Sequence, residues 1–223
     1  VNPPVVVTIA STDSGGGAGI AADLTTFAAL GVHGACVVAA VTAQDTTGVR
    51  AIHPVPFDVV AAQLDAVLED LDPVAVKTGM LGTAKVVRLV AERCAGRILV
   101  VDPVIVATSG AVLADDAVVR AYREHLLPVA TVVTPNEDEF LALGMPVRAG
   151  VIVTRGGDIP TTNDHGTGCT HSSALAAHLA LGADLPIAAE RAAAFVSQQL
   201  HLGKNWILGR GRGPVAHIQG EHR

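Results

Sequence analysis

The chain is expected to fold as an α/β protein with a mostly parallel central sheet. Three observations lead there. Short runs of Val, Ile, Leu and Ala are apolar at successive positions, as strands buried on both faces must be. Each run is followed by a segment of helical spacing, the βαβ order of a sheet covered by helices on both sides. Half of the 223 residues are hydrophobic, 16% are charged and only 3% aromatic, so small aliphatic side chains build a sizeable core. Residues 5–9 open the order as a strand. The glycine-rich stretch 14–19 follows, then a helix over 20–30 and a strand over 35–41. Pro56 opens an amphipathic helix in which Val59, Val60, Leu64, Val67, Leu68 and Leu71 share a face. Residues 75–78 make a strand, and Thr83 caps a helix that reaches Cys94. The order continues with strand 98–101, helix 116–127, strand 131–134, helix 137–143 and strand 151–154. Helix 168–181 stops at Gly182, and a last helix runs 186–202 with Pro at its first turn. No repeat or linker divides residues 1–223, which predicts a single domain.

Composition also excludes functions. Fifteen basic residues stand against 21 acidic, a net charge of −6. With few aromatics for base stacking, this argues against nucleic-acid binding. The longest apolar stretches are about half the length of a membrane span, and no basic-then-apolar leader opens the chain. Cys36, Cys94 and Cys169 are odd in number and form no CxxC pair, which fits a reducing cytoplasm. The nine histidines form no HExxH, and Ser11, Ser14 and Ser109 lie in no Gly-x-Ser-x-Gly elbow.

Open α/β sheets bind ligands at the carboxyl ends of their strands. The polar punctuation collects there: residues 11–19, Gln44 and Asp45, residues 77–80, Asp102, residues 134–139 and residues 155–158. The segment Asp164-His165-Gly166-Thr167-Gly168-Cys169-Thr170 precedes an Ala-rich helix. Its glycines would let backbone N–H groups approach an anion at a helix N-terminus. Cys169 would stand in the first turn, where a thiol pKa is lowered. Ser14-Gly15-Gly16-Gly17-Ala18-Gly19 is either a phosphate cradle or a loop that lets backbone approach a flat ligand. It is no Walker loop, since no Gly-Lys-Ser/Thr follows, and Ile20 breaks the dinucleotide fingerprint. Taken alone, Asp23 reads as a solvated first-turn acid. Thr134-Pro135-Asn136-Glu137-Asp138-Glu139 reads equally as a Mg²⁺ site or as an acidic helix start.

Several stretches together resemble the hydroxymethylpyrimidine/phosphomethylpyrimidine kinases of thiamin biosynthesis, within the ribokinase-like family. They are residues 8–20, Ala22-Asp23-Leu24, Thr42-Ala43-Gln44-Asp45-Thr46, Lys77-Thr78-Gly79-Met80-Leu81, Val101-Asp102-Pro103-Val104, Thr134-Pro135-Asn136, residues 164–170 and the tail Gly211-Arg212-Gly213-Pro214-Val215. The resemblance implies a three-layer α/β/α sandwich. It implies transfer of the ATP γ-phosphoryl group to the 5-hydroxymethyl group of an aminopyrimidine, then a second transfer giving the pyrophosphate. Gln44 matches the residue that reads the aminopyrimidine, and Ala18, Asp23 and Met80 match pocket positions. Cys169 matches the proposed base, and Gly166 and Gly168 match the anion hole. Thr134, Asn136 and Arg155 fall on the nucleotide side, with Arg155 where Lys is usual. Glu139, with Asp102 nearby, matches the Mg²⁺-organising pattern. A vitamin B6 kinase on the same fold, or a catalytically weak pyrimidine-binding protein, is the alternative. An apolar sheet edge could pair two copies into a homodimer.

The chain departs from the family at Ser11 (usually Gly), Ala21 (Gln), Asp45 (Asn) and Thr108 (often Lys). It is also short in two places. Family members carry a helix between the regions of Pro146 and Val151, and a flap of strands between Gly157 and Thr162 over the nucleotide. The full-length protein is expected to carry both, because their loss would leave a sheet face bare.

Overall fold

The computed structural model describes residues 2–106, 110, 112–146, 150–155, 157 and 159–217. Thr108, Ser109 and part of the 155–158 cluster lie outside them. The central sheet has six strands: β1 (Val5–Ser11), β2 (His33–Asp45), β3 (Gly48–Pro54), β4 (Ala75–Thr78), β5 (Ile98–Val101) and β6 (Val132–Val133). Their spatial order is β3-β2-β1-β4-β5-β6. Every neighbouring pair is parallel except β2 with β3. The order reverses direction at β1, so the crevice at the carboxyl ends of β1, β2 and β4 is a topological switch point.

Seven α-helices accompany the sheet among the described residues: α1 (Gly19–Ala29), α2 (Phe57–Leu71), α3 (Ala84–Cys94), α4 (Asp116–Ala121), α5 (Glu137–Leu143), α6 (Thr167–Ala180) and α7 (Leu185–Gly203). Two apolar layers hold them. On one side Val7, Ile9, Val37, Val76, Leu99 and Val101 pack with residues of α2, α3 and α4. On the other, Val6, Ala75, Val100 and Val132 pack with Phe27 of α1, with α6 and with α7. Alternate residues of one strand thus feed opposite layers, as a pleat requires. This is the expected α/β/α sandwich.

Local chemistry accounts for the helix ends. Thr83 accepts a bond from the Val86 N–H and caps α3 as expected. Asp115 and Asp184 do the same for α4 and α7. Gly182, at φ +89°, takes the left-handed position just past α6.

Three expectations are corrected. Residues 48–54 were expected to carry no element, yet β3 pairs antiparallel with a β2 longer than expected at both ends. The segment expected as strand 151–154 is reduced to single parallel bridges, Val133 to Val151 and Asn136 to Thr154. Its neighbour β6 is only two residues long, so there is little ladder to extend. The helix expected over 116–127 changes at Tyr122 into a π-helical turn that runs to Leu126. No helix among the described residues is long and apolar enough to cross a membrane.

Candidate active site

A cleft of about 820 Å³ opens at the carboxyl ends of the strands. The glycine-rich loop before α1, the ends of β2 and β4, Asp102, the start of α5 and the start of α6 all contribute to its wall. Of the residues singled out above, Ala18, Gln44, Met80, Asp102, Thr134, Asn136, Glu139, Arg155, Gly166, Gly168 and Cys169 line it. Sequence positions 150 residues apart therefore meet in one place.

The start of α6 is built around Gly166. It caps the helix at φ +86°, with no side-chain cap. A Cβ there would sit 1.8 Å from the Gly17 carbonyl oxygen. The Thr167 N–H is taken by the Asp164 carbonyl. The N–H groups of Gly168 and Cys169 come next, and helix geometry gives them no intrahelical acceptor. A Cβ at Gly168 would meet only Asp102 Oδ2, at 4.0 Å, so space remains above this helix end. Gly166→Ala is expected to push α6 off the glycine-rich loop. Ala also pays roughly 1–2 kcal/mol for the left-handed backbone. Displacement by about 1 Å should lower kcat/KM roughly 10²-fold. Steady-state kinetics with a melting curve check this: a variant within a few-fold of the parent would show that the contact yields.

The glycine-rich loop is tied down by Asp13, to which the sequence pattern gives no role. Its Oδ1 accepts the Gly15 N–H at 2.8 Å. Its Oδ2 accepts those of Gly17 at 3.0 Å and Ala18 at 2.9 Å. His165 Nε2 stands 2.9 Å from the same oxygen. Burial works against this carboxylate, and the His165 contact and loop N–H groups outweigh it, so its pKa is lowered. A Cβ at Gly17 would lie 2.6 Å from the His165 ring. The two glycine motifs therefore interlock, each leaving room for the other.

Asp23 is not brought to the cleft wall. It is fully buried, neither a pocket residue nor a solvated first-turn acid. Its Oδ1 pairs with Lys77 Nζ at 2.8 Å, both side chains having no exposure. It accepts hydroxyl bonds from Thr8 and Ser173, each at 2.6 Å. Lys77 was noted in sequence only as polar punctuation. Burial opposes its charge, but Asp23, with Cys169 and Asp102 adding, raises its pKa above the ordinary value.

The expected low thiol pKa of Cys169 is also corrected. Burial comes first and pushes the thiol up to about 12; Asp102 and Asp23 add to it. The Lys77 ammonium and the Gly19 N–H pull downward and are outweighed. The helix start does not dominate because desolvation of the sulfur outweighs its partial charge, and Asp102 and Asp23 add negative charge nearby.

Asn136 and Glu139 form a capping box at the start of α5. Glu139 Oε2 accepts the Asn136 N–H at 2.9 Å, and Oε1 the Ile105 N–H at 3.3 Å. The acidic-helix-start reading of this motif thus holds, and its carboxylate still reaches the cleft. Burial pushes Glu139 up to about 7, and Asp102 adds to it. Asp102 is raised to about 6, by burial first, although Lys77 and the Ser172 hydroxyl lower it. Two carboxylates that resist ionisation beside an open cleft suit a divalent cation with one or two protein ligands and further oxygens from water or phosphate. No group of three or more His, Cys, Asp or Glu forms a metal cage among the described residues. Arg155, on the rim, pairs with Glu137 at 2.9 Å, both well exposed.

Comparison with known proteins agrees with this arrangement. The family model for phosphomethylpyrimidine kinase matches residues 13–150 and 145–216. A hydroxymethylpyrimidine/phosphomethylpyrimidine kinase of Synechococcus elongatus is 39% identical over 258 aligned positions, covering 96% of this chain and 97% of the relative. The aligned length exceeds the 223 residues of the chain, so the alignment carries gaps on its side. Among solved structures, an ADP complex of Bacillus subtilis pyridoxal kinase has a TM-score of 0.85 at 30% identity, covering 97% of this chain and 98% of that one. A Clostridium difficile phosphomethylpyrimidine kinase has a TM-score of 0.75 at 30% identity, covering 87% and 98%. With motif, cleft and relatives in accord, the chain belongs to the phosphomethylpyrimidine kinase family.

Proposed function

We propose that the protein uses Mg·ATP to phosphorylate 4-amino-5-hydroxymethyl-2-methylpyrimidine, and then its monophosphate, in thiamin biosynthesis. One observation carries this reading: a single cleft joins Gln44, Ala18 and Met80 to the N–H groups opening α6 and to Asp102, Asn136 and Glu139. Phosphoryl transfer needs this combination, which positions an acceptor and receives spreading negative charge.

Gln44 offers a donor and an acceptor on one amide, suited to the aminopyrimidine edge. Ala18 and Met80 give flat apolar walls. The Gly168 and Cys169 N–H groups, at the positive end of α6, hold the transferring phosphoryl oxygens. The hydroxymethyl oxygen forms a bond to the γ-phosphorus as the bond to the β-phosphate oxygen breaks, and the hydroxyl proton passes to the Cys169 sulfur in its thiolate form. Thr134, Asn136 and Arg155 serve the nucleotide side. Asp102 and Glu139 would hold Mg²⁺, which when bound neutralises phosphate charge.

The pyridoxal kinase neighbour shows that fold alone does not fix the acceptor. Identity near 40% to pyrimidine kinases favours the pyrimidine. Gln44→Leu tests the choice. A buried polar partner left unpaired costs roughly 1–3 kcal/mol, so KM for the pyrimidine should rise about 5- to 150-fold while KM for ATP stays within twofold. Equal weakening of both, or turnover of pyridoxal in preference to the pyrimidine, overturns the assignment. Unpaired Cys36, Cys94 and Cys169 support a cytoplasmic setting. A second copy would pair along the exposed β3 edge, near Val41 and Ile52; sedimentation reads that directly.

A further inference from the structure

We propose that His165 is a positioning residue: it fixes which end of the Gln44 amide faces the ligand, and so makes the cleft select a ring with an acceptor atom at that edge. The proposal rests on the reading of Gln44 given above.

Proton counting around Asp13 and His165 fixes the tautomer. Asp13 Oδ2 already accepts the Gly17 and Ala18 N–H groups. An ionised carboxylate only accepts. His165 Nε2, 2.9 Å away, must therefore carry a proton and donate it. The opposite tautomer would aim a lone pair at a carboxylate that is itself buried and lowered in pKa. The Gln44 side-chain nitrogen is placed 3.2 Å from that same Nε2. Two donors cannot face each other, and the two ends of an amide are interchangeable in shape. The chemically consistent arrangement turns Gln44 Oε1 toward the His165 N–H, whose single proton it shares with Asp13 Oδ2 as the longer arm of a three-centre bond, and turns Nε2 toward the cleft.

The rest of the geometry makes this arrangement rigid. His165 is held by backbone as well as by its ring. Its N–H donates to the Gly213 carbonyl at 3.0 Å, and its carbonyl accepts from Val215 at 3.1 Å. The ring lies against Gly17, where any Cβ would collide. Gln44 is fixed from its own backbone by Ser14, whose hydroxyl accepts the Gln44 N–H at 2.9 Å and donates to the Gln44 carbonyl at 2.6 Å. Asp13, His165 and Gln44 thus form a relay from the loop to the ligand. Its end is an amide N–H aimed at the cleft. The partner it fits is an in-plane ring nitrogen, and a neighbouring amino group can reach the remaining lone pair of Oε1.

Two measurements test it. Long-range ¹⁵N–¹H spectra of the free protein report the tautomer, and a proton on His165 Nε2 is expected. A neutral ring protonated only at Nδ1 overturns the proposal without reference to activity. His165→Leu should then raise KM for the pyrimidine roughly three- to tenfold, the worth of one hydrogen bond, with KM for ATP unchanged. His165→Gln, which returns an amide N–H to about the place of Nε2, should recover most of that loss. In a Gln44→Leu background, His165→Leu should have almost no further effect. Independent, multiplying effects, or an equal rise in both KM values, would make His165 a merely structural residue and overturn the relay. Failure of the parent protein to phosphorylate the pyrimidine is a different result. It removes the substrate assignment, and the tautomer spectrum still decides the proton.

Discussion

Cys169→Ser is expected to lower kcat by roughly 10²–10⁴-fold, the range for loss of a general base, with nucleotide binding and folding intact. Serine keeps the size and loses the ionisable sulfur. The structure adds a sharper requirement. The thiol is pushed up to about 12 by burial, helped by Asp102 and Asp23. Only the deprotonated form accepts a proton. Below that pKa its fraction grows tenfold with each pH unit, so kcat of the parent should climb with unit slope on a logarithmic plot from about pH 8 to 10, above the range in which Asp102 and Glu139 titrate. Cys169→Asp supplies a base already ionised in this range, so it should flatten the profile and retain more activity than serine. A flat profile in the parent, or a serine variant within a few-fold of it, would leave Cys169 a packing residue beside an anion hole that does the work by itself.

Lys77→Met should cost more in stability than any surface change. Lys77 and Asp23 have no solvent exposure and stand 2.8 Å apart. Removing one partner leaves a buried charge, which typically costs about 3–5 kcal/mol. For a domain of this size that is a fall in Tm of roughly 6–20 °C. Lys77→Met with Asp23→Asn should recover much of the loss, because the uncompensated charge is gone and the amide can accept from one of Thr8 and Ser173 and donate to the other, whose hydroxyl can turn to accept. Equal melting of the single and double variants would show that the cost lies in packing. Lys77 also pulls the Cys169 thiol downward. Even the stabilised double variant should therefore show a lower kcat at neutral pH.

Much of the frame was written in local sequence. Strands 75–78 and 98–101 and helix 137–143 were expected with the bounds they have. Four-residue segments rich in β-branched residues between helical segments read as strands, and Thr83 and Gly182 mark helix ends through their own backbone chemistry. The cleft was legible for a related reason. Polar residues at the carboxyl ends of parallel strands converge wherever the sheet order reverses. Local pattern failed where pairing decides. β3 has little apolar alternation and exists because β2 offers it a hairpin partner. The segment 151–154 has strand composition but only a two-residue neighbour to pair with.

The electrostatics lay beyond sequence altogether. Asp23, one turn inside a helix, looks solvated until Lys77, 54 positions on, closes over it. Asp13 and His165 are 152 positions apart, and only the crossing of two glycine loops brings them within hydrogen-bond distance. Cys169 carries the clearest lesson. Its position at a helix start is a sequence fact that predicts a low thiol pKa. Its burial beside Asp102 and Asp23 is a tertiary fact that reverses the sign. Residue types and spacing determined which groups could do the chemistry. Desolvation and neighbouring charge, which depend on what the rest of the chain folds against them, decided their protonation states.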